Sequence, residues 1–440
     1  MTVKNLDAFW MPFTPNNQFK ANPRLVASAL GIWLKANDGR DILDASAGLW
    51  CVNAGHCRTE IADAVAKQLT TLDYSSIFNY GHELGFEYAN RLISYTPTGL
   101  DHVFFGNSGS EAVETALKIA LQYWAAKGEG QKTRFIGREK SYHGVNFGGL
   151  SVGGLTNNHR TFGQWLLVDH LPHTLDIARN AFSKGLPEYG VELAEALENL
   201  ILFHGPERVA AVIVEPIVGA GGVIMPPQGY LQRLREIATQ YNVLLIFDEV
   251  ICGWGRTGSA FASQEFNVIP DMLTSAKGIT NAAIPLSACF VNHEIYQTCL
   301  AQSKTPIEFP HGYTYSCHPV ACAAGMATLD IYDKEGLLTR ASHDGEIATY
   351  WQAALHQLAD LPNVIDIRNY GLVGGIELKA HASGPGILGA RAIDLAWQQG
   401  MMIRAVGDTI CLSPPLVITI SEIDQITAIL SKVIQILAES

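Results

Sequence analysis

The feature that most restricts how this chain can fold is an alternation of short apolar runs with amphipathic segments in its middle part. The apolar runs have strand length: HVFFG, TRFIGRE, RVAAVIVEPI, YNVLLIFDEV and PLSACFV. Between them, SGSEAVETALKIALQYWAAKG and GYLQRLREIATQY have helical spacing, and the first begins with Ser and ends with Gly. Strands that alternate with helices predict an α/β fold with a mostly parallel central sheet covered on both faces.

The rest of the chain predicts a second, smaller α+β domain. A chain of 440 residues is too long for one ordinary core. Residues 1–25 are expected to form an extended, irregular arm, and GIWLKANDGRDILDAS a hairpin with its turn at Asn37, Asp38 and Gly39. Beyond about residue 325, helix-like segments are followed by short strands, among them MMIRAVG, and a closing helix. We predict a large domain over 61–326 and a composite small domain over 1–60 and 327–440.

Composition argues against several classes of function. The formal net charge is -12 and there is no Lys/Arg-rich run, so nucleic-acid binding is not expected. The eight cysteines form no Cys-x-x-Cys pair, which predicts reduced thiols and no metal site. The N-terminus lacks the apolar core of a signal peptide, and no continuous apolar stretch predicts a membrane span. Together these features favour a cytoplasmic protein.

Asp248 ends the apolar run VLLIFD, and ligands of open α/β sheets bind at the carboxyl ends of strands. One interpretation is a magnesium-binding acid of a nucleotide hydrolase. That interpretation requires a phosphate loop, yet the chain contains no Gly-Lys dipeptide. A second is an acid that pairs with the ring nitrogen of a pyridine cofactor, and a third is a helix cap or core ion pair.

Two glycine-containing segments could bind phosphate. Ser108, Gly109 and Ser110 lie between a strand and a helix, where free N–H groups either hold an anion or are simply capped. GWGRTG at 253–258 matches a dinucleotide-binding pattern, but no amphipathic helix follows it. We therefore predict a glycine-rich loop there, with a structural role for Arg256.

The chemistry becomes specific when the candidates are taken in order along the chain. After Ser108–Ser110 come Tyr142 and His143, then Glu215, Asp248 and finally Lys277, which follows a short apolar segment. A desolvated lysine amine has a lowered pKa and can attack a carbonyl. The set supplies an anion site, a ring partner, an acid and an amine, which are what pyridoxal 5'-phosphate requires.

The chain resembles the class III aminotransferases of fold type I along nearly its whole length. The resemblance is carried by NSGSEAVETALKIA, SYHGVNFGG, VEPIVGAGGV, LLIFDEVICGWGRTG, AKGITNAAIPLSA and HGYTYSCHPVACAAG. MPFTPNNQFKANPRL and SAGLWCVNAGH are most similar to the ω-amino acid:pyruvate, or β-alanine–pyruvate, aminotransferases. One departure is Asn17, where that subgroup more often has a basic residue.

The resemblance implies roles for matching residues. Lys277 would form a Schiff base with the cofactor and shuttle a proton, and Asp248 would pair with the ring nitrogen. The other implied cofactor contacts are Ser108, Gly109, Ser110, Tyr142, His143, Glu215 and Val250, with Thr314 from a partner subunit. Trp50, Tyr142, Arg404 and a partner's Phe78 would line the substrate pocket, Arg404 binding the acceptor carboxylate.

The implied function is amino transfer from an ω-amino acid or amine to pyruvate, through pyridoxamine phosphate, in a homodimer or a dimer of dimers with shared active sites. The alternatives are another pyridoxal-phosphate enzyme of the same fold, such as a diamine or γ-aminobutyrate aminotransferase, an aminomutase, a racemase or a decarboxylase. A non-catalytic regulator is disfavoured, because the chain keeps every residue that the chemistry needs and shows no added DNA-binding domain.

Overall fold

The computed structural model describes residues 5–301 and 306–439. The strands are β1 (Val26–Leu30), β2 (Trp33–Ala36), β3 (Asp41–Asp44), β4 (Leu100–Gly106), β5 (Arg134–Arg138), β6 (Val168–Leu171), β7 (Val209–Val214), β8 (Leu244–Asp248), β9 (Met272–Ser275), β10 (Ser287–Asn292), β11 (Val364–Tyr370), β12 (Val373–Leu378), β13 (Met401–Met402), β14 (Arg404–Val406) and β15 (Thr409–Leu412).

The helices are α1 (Asn16–Ala21), α2 (Ala47–Trp50), α3 (Thr59–Thr71), α4 (Glu83–Ile93), α5 (Gly109–Ala126), α6 (Phe147–Val152), α7 (Thr156–Phe162), α8 (Ile177–Asn180), α9 (Glu195–His204), α10 (Tyr230–Gln240), α11 (Ala262–Glu265), α12 (His293–Ala301), α13 (Pro319–Glu335), α14 (Glu346–His356), α15 (Ile387–Gln398) and α16 (Ile420–Ala438). Short 3-10 turns lie at Val191–Ala194, Pro206–Arg208 and Lys277–Thr280.

The central sheet has the strand order β4-β10-β9-β8-β7-β5-β6. Neighbouring strands from β9 to β6 run parallel, whereas β10 is antiparallel to both β4 and β9. Because β10 alone is reversed among these strands, β4 runs in the same direction as β9. The predicted mostly parallel sheet is confirmed, and the run PLSACFV is its one antiparallel strand in the described chain.

Helices cover both faces of this sheet because successive strand residues point to opposite sides. In β7, Ala211 and Ile213 belong to the buried cluster that includes residues of α5. Their neighbours Val212 and Val214 belong to the cluster that includes residues of α10. Every residue of β7 is buried, as expected for a parallel strand between two helical layers.

Two smaller sheets lie outside the central one, with strand orders β1-β2-β3-β13 and β11-β12-β15-β14. The predicted hairpin is confirmed as β2 and β3, and Gly39 in its turn has a φ of +92°. One buried cluster contains residues from both predicted domains, for example Phe290 of β10 and Leu430 of α16. The domain boundaries stay a prediction, and the boundary at 326/327 falls within α13.

Two local predictions were wrong. The N-terminal arm is not wholly extended, because the helix α1 begins at Asn16. The Asn16 side chain accepts a hydrogen bond from the Met11 N–H and donates one to the Met11 carbonyl. The run MMIRAVG is not one strand: β13 pairs with β3 and β14 pairs with β15, with buried Ile403 between them. In the described part of the chain, no helix has the length and apolar character to cross a bilayer.

Candidate active site

The predicted catalytic residues and the cofactor-binding residues from 108 to 277 lie at one edge of the central sheet, because parallel strands share their carboxyl ends. Ser108–Ser110 follow β4, and Tyr142 and His143 follow β5. Glu215 is the first residue after β7, Asp248 is the last residue of β8, and Lys277 comes two residues after β9. Residues up to 169 positions apart are thereby placed at one edge.

Asp248 is buried and held by several donors. Its Oδ2 lies 2.8 Å from His143 Nδ1, and its Oδ1 accepts from Thr274 Oγ1 at 3.1 Å and from the Val250 N–H at 3.2 Å. Since a carboxylate only accepts, the His143 proton on Nδ1 faces Asp248. His143 Nε2 is buried and has no hydrogen-bond partner among the described residues.

Thr274 was not among the sequence candidates. It stands opposite Asp248 in the register of β8 and β9, which is why its hydroxyl reaches the carboxylate. A signal was present in the sequence, because Thr274 lies three residues before Lys277, in the short apolar segment that precedes it.

Glu215 fixes the segment that carries Tyr142. Its Oε1 accepts the Tyr142 N–H at 2.9 Å, and its Oε2 accepts the Gly219 N–H at 2.8 Å. Burial raises the pKa of Glu215, and these two backbone donors act in the opposite direction. Burial likewise raises the pKa of Tyr142, reinforced by the carboxylates of Asp248 and Glu215.

Lys277 begins a 3-10 turn and has a φ of +53°, a rare conformation for a residue other than glycine. Among the described residues, its Nζ has no hydrogen-bond or ion-pair partner. Burial lowers the pKa of Lys277, partly offset by the nearby Cys51, Asp248 and Glu215. Lys277 is half-buried, and a lysine amine with a lowered pKa and no ion-pair partner is suited to covalent chemistry with a carbonyl.

The start of α5 could hold an anion. Ser108 is the N-cap and accepts the Glu111 N–H at 3.3 Å, while the first helical bond runs from Ala112 to the Ser108 carbonyl. The N–H groups of Gly109 and Ser110 come before that first bond, so the helix itself supplies no acceptor for them. A Cβ on Gly109 would lie 3.0 Å from Val250 Cγ1, so glycine permits this close approach.

The anion site, the buried carboxylate and the unpaired amine together fit pyridoxal phosphate. Its phosphate matches the N-terminus of α5, its protonated ring nitrogen matches Asp248, and its aldehyde matches Lys277.

The remaining predicted site residues are the substrate residues Trp50, Arg404 and Phe78 and the cofactor-binding residue Thr314. Trp50 is buried in the same cluster as Cys411, and exposed Arg404 pairs with Cys411 in the β14–β15 register. Phe78 and Thr314 are exposed. Phe78 lines a groove of about 730 Å³ whose lining includes neither Thr314 nor Lys277 nor Asp248.

The glycine-rich segment 253–258 is a loop, as predicted. Arg256 is buried within it and donates to the carbonyls of Leu372 and Pro414 and to Asn53 Oδ1 at 2.8 Å. Burial lowers the pKa of Arg256 to about 10. The side chain therefore ties this loop to the β11–β12 connection and to the segment after β15.

Comparison with known proteins gives the family. The family described as "Aminotransferase class-III" matches residues 15–434. This chain belongs to the class III aminotransferases. It is a pyridoxal-phosphate-dependent aminotransferase of fold type I, as the sequence predicted.

Relatives of this aminotransferase include an "Omega-aminotransferase" of Caulobacter vibrioides, 50% identical over 98% of each chain. An "Omega-amino acid--pyruvate aminotransferase" of Pseudomonas putida is 50% identical over 93% of this chain and 91% of its own. Among solved structures, an omega transaminase from Pseudomonas jessenii in complex with PMP has a TM-score of 0.91 at 32% identity, covering 98% of this chain and 96% of its own.

Proposed function

We propose that this aminotransferase moves the amino group of a β-alanine-type ω-amino acid, or of an amine, to pyruvate. The observation that carries the proposal is the convergence of Asp248, Lys277 and the start of α5 at one sheet edge. The substrate class is supported by the names of the relatives, which include a "Beta-alanine--pyruvate aminotransferase" of Pseudomonas aeruginosa, 47% identical over 96% of this chain.

Lys277 and Asp248 are the catalytic residues of this proposal. Bound pyridoxal phosphate supplies a carbonyl that takes the amino group and a ring that withdraws electrons from the substrate carbon. The Lys277 amine, with its lowered pKa, takes a proton from that carbon and returns it in the reverse direction. Asp248 keeps a proton on the ring nitrogen by charge pairing.

The neighbouring residues position these two. Ser108, Gly109 and Ser110 would hold the phosphate of the cofactor, and Tyr142 and Val250 would contact its ring. His143 acts through Asp248, because its Nδ1 proton faces Asp248 Oδ2. Glu215 acts through Tyr142, whose backbone it holds at 2.9 Å.

Arg404 is the proposed ligand of the substrate carboxylate. It lies exposed on β14, and among the described residues it has no ion-pair partner, so its guanidinium is free to bind a carboxylate in bidentate fashion. Trp50 provides an apolar wall for the remainder of the substrate. Asn17, exposed on α1, offers no positive charge of its own.

We propose further that the active sites are shared in a homodimer or a dimer of dimers. Phe78 is 53% exposed, and Tyr80 and Phe86 beside it are 75% and 70% exposed. Exposed aromatic side chains along one groove are typical of a protein interface. A partner subunit on this surface would receive Phe78 and Thr314 into its own site.

The test is a visible absorption scan of the holoenzyme before and after addition of β-alanine and then pyruvate. We expect the band of the bound cofactor to disappear with β-alanine and to return with pyruvate, with alanine as product. A band that ignores β-alanine but responds to putrescine or γ-aminobutyrate would contradict the proposed donor. The absence of any band after incubation with pyridoxal phosphate would contradict the site itself.

A further inference from the structure

The turn that carries Lys277 has an unusual backbone conformation. Lys277 begins a 3-10 turn in which Gly278 and Ile279 are buried. A positive φ, rare for residues other than glycine, occurs at Lys277 (+53°), Asn281 (+51°) and Ala282 (+59°). Such conformations are unfavourable and persist only where the surrounding structure fixes them. The contacts around this turn therefore determine where the Lys277 amine lies.

Two tyrosine hydroxyls bond the carbonyls that follow Lys277. Tyr332 Oη donates to the Gly278 carbonyl at 2.7 Å, and Tyr88 Oη donates to the Ile279 carbonyl at 3.0 Å. The tyrosines belong to α13 and α4, respectively, and both side chains are buried. Burial raises the pKa of both phenols, so each hydroxyl keeps the proton that it donates. The beginning of the turn is thus held from two separate helices.

Packing fixes both hydroxyls in front of the turn. Gly325 lies inside α13, and a Cβ there would lie 2.2 Å from the Tyr88 hydroxyl oxygen. Glycine within a helix is unfavourable relative to alanine, but here it provides the space that the hydroxyl occupies. The Tyr88 ring stacks on Phe105 with 5.8 Å between centroids, and the Tyr332 ring stacks on Trp254 at 6.1 Å.

The far end of the turn is held by Asn281. Its Oδ1 accepts the Ala54 N–H and its Nδ2 donates to the Gly55 carbonyl, both at 2.8 Å. These two bonds tie the end of the turn to the segment that follows Trp50. Within the described part of the chain, the two tyrosines supply the only side-chain hydrogen bonds to the carbonyls of residues 277–279.

We propose that Tyr88 and Tyr332 are positioning residues that place the Lys277 amine for its reaction with the cofactor. The inference rests on the proposed role of Lys277. Each tyrosine acts through the backbone of the turn, not through the cofactor or the substrate. Reaction rates depend steeply on such placement, and a displacement of about 1 Å can cost on the order of a hundredfold. Loss of either hydroxyl should therefore slow the steps that use Lys277.

The test compares Tyr332→Phe and Tyr88→Phe with the native protein. Each substitution removes one hydroxyl and keeps the ring in the core. Tyr230→Phe is the matched control, because Tyr230 is equally buried and its hydroxyl has no hydrogen-bond partner among the described residues.

Two measurements report on Lys277. The first is the rate at which the absorption band of saturating pyridoxal phosphate shifts when it reacts with the cofactor-free protein, a step that requires the Lys277 amine. The second is kcat and KM of the holoenzyme for β-alanine with saturating pyruvate. The first needs no turnover, so it does not depend on the choice of amino donor.

We expect both turn variants to lose about tenfold in the rate of the band shift and in kcat, because the amine is displaced. Their KM, and the concentration of pyridoxal phosphate that half-saturates the band, should stay within about twofold of native, because the binding groups are unchanged. Tyr230→Phe should keep both rates within about twofold of native. A loss of core packing alone would lower the Tm of all three variants without separating kcat from KM.

The proposal would be overturned if both turn variants kept the band-shift rate and kcat within about twofold of native, or if Tyr230→Phe lost as much as they do. Because Tyr88 and Tyr332 lie on different helices, either variant alone decides if the other does not fold. A native protein without any band would contradict the proposed function. A native band with unchanged turn variants would contradict this inference alone.

Discussion

Replacing Asp248 with Asn removes one charge from the site and changes little in size. The amide nitrogen cannot accept a hydrogen bond, yet both carboxylate oxygens accept in the native site. If the amide nitrogen faces Val250, two N–H donors oppose each other. If it faces His143, the ring must move its proton to Nε2, which has no described partner. An unsatisfied buried group costs about 1–3 kcal/mol.

The larger effect of Asp248→Asn is expected on catalysis. An adjacent carboxylate raises the pKa of a cationic ring nitrogen by about 1–3 units. One unit corresponds to about 1.4 kcal/mol, so the variant loses about 1.4–4 kcal/mol of charge stabilisation. We therefore expect amino transfer to slow by about ten-fold to a thousand-fold.

The assay is the initial rate of alanine formation from β-alanine and pyruvate with saturating pyridoxal phosphate. Thr274→Val is the matched control, because it removes one donor to Oδ1 and keeps the charge. Losing that bond costs about 0.5–1.5 kcal/mol, or about tenfold at most. A cofactor-loaded Asp248→Asn enzyme within threefold of the native rate would refute the reasoning, as would a loss in Thr274→Val larger than the loss in Asp248→Asn.

Further predictions concern substrate binding, pH and stability. Arg404→Ala should slow the pyruvate half-reaction far more than the half-reaction of an uncharged amine in stopped-flow traces, and equal losses would contradict a carboxylate-binding role. Burial lowers the pKa of Lys277 in the folded, cofactor-free protein. Below that folded pKa, the protonated lysine therefore reduces the free energy of unfolding. This loss of stability disappears as pH rises towards the pKa in the unfolded chain, about 10.4. Lys277→Met should therefore raise the Tm of the cofactor-free protein at neutral pH, by an amount that shrinks in alkaline buffer; a constant difference would contradict this sign. Thr419→Ala removes the capping box of α16, in which the Thr419 hydroxyl accepts the Glu422 N–H, and should cost about 1 kcal/mol in urea unfolding. Leu430→Ala on the buried face of the same helix should cost about 2–5 kcal/mol, and a smaller loss than that of Thr419→Ala would place Leu430 outside the core.

Much of the site could be predicted from the chain alone because its residues follow regular elements. Asp248 and Lys277 each come at or just after a strand with a clear apolar run, and parallel strands present their carboxyl ends together. The hairpin around Gly39 and the helix after Ser108 were likewise predicted, because turn residues and helix caps act through their immediate neighbours.

The sequence by itself determined the family, the α/β fold class and the order of the candidate residues, since these depend on local periodicity and on motifs. Tertiary structure decided what depends on pairing between distant segments. The reversal of β10, the division of MMIRAVG between two sheets and the reach of Thr274 to Asp248 all follow from strand order and register. The reach of Tyr88 and Tyr332 to the Lys277 turn depends on how α4 and α13 pack and on the space left by Gly325. Such contacts result from packing of the whole chain, whereas periodicity reports only which face of each element is buried.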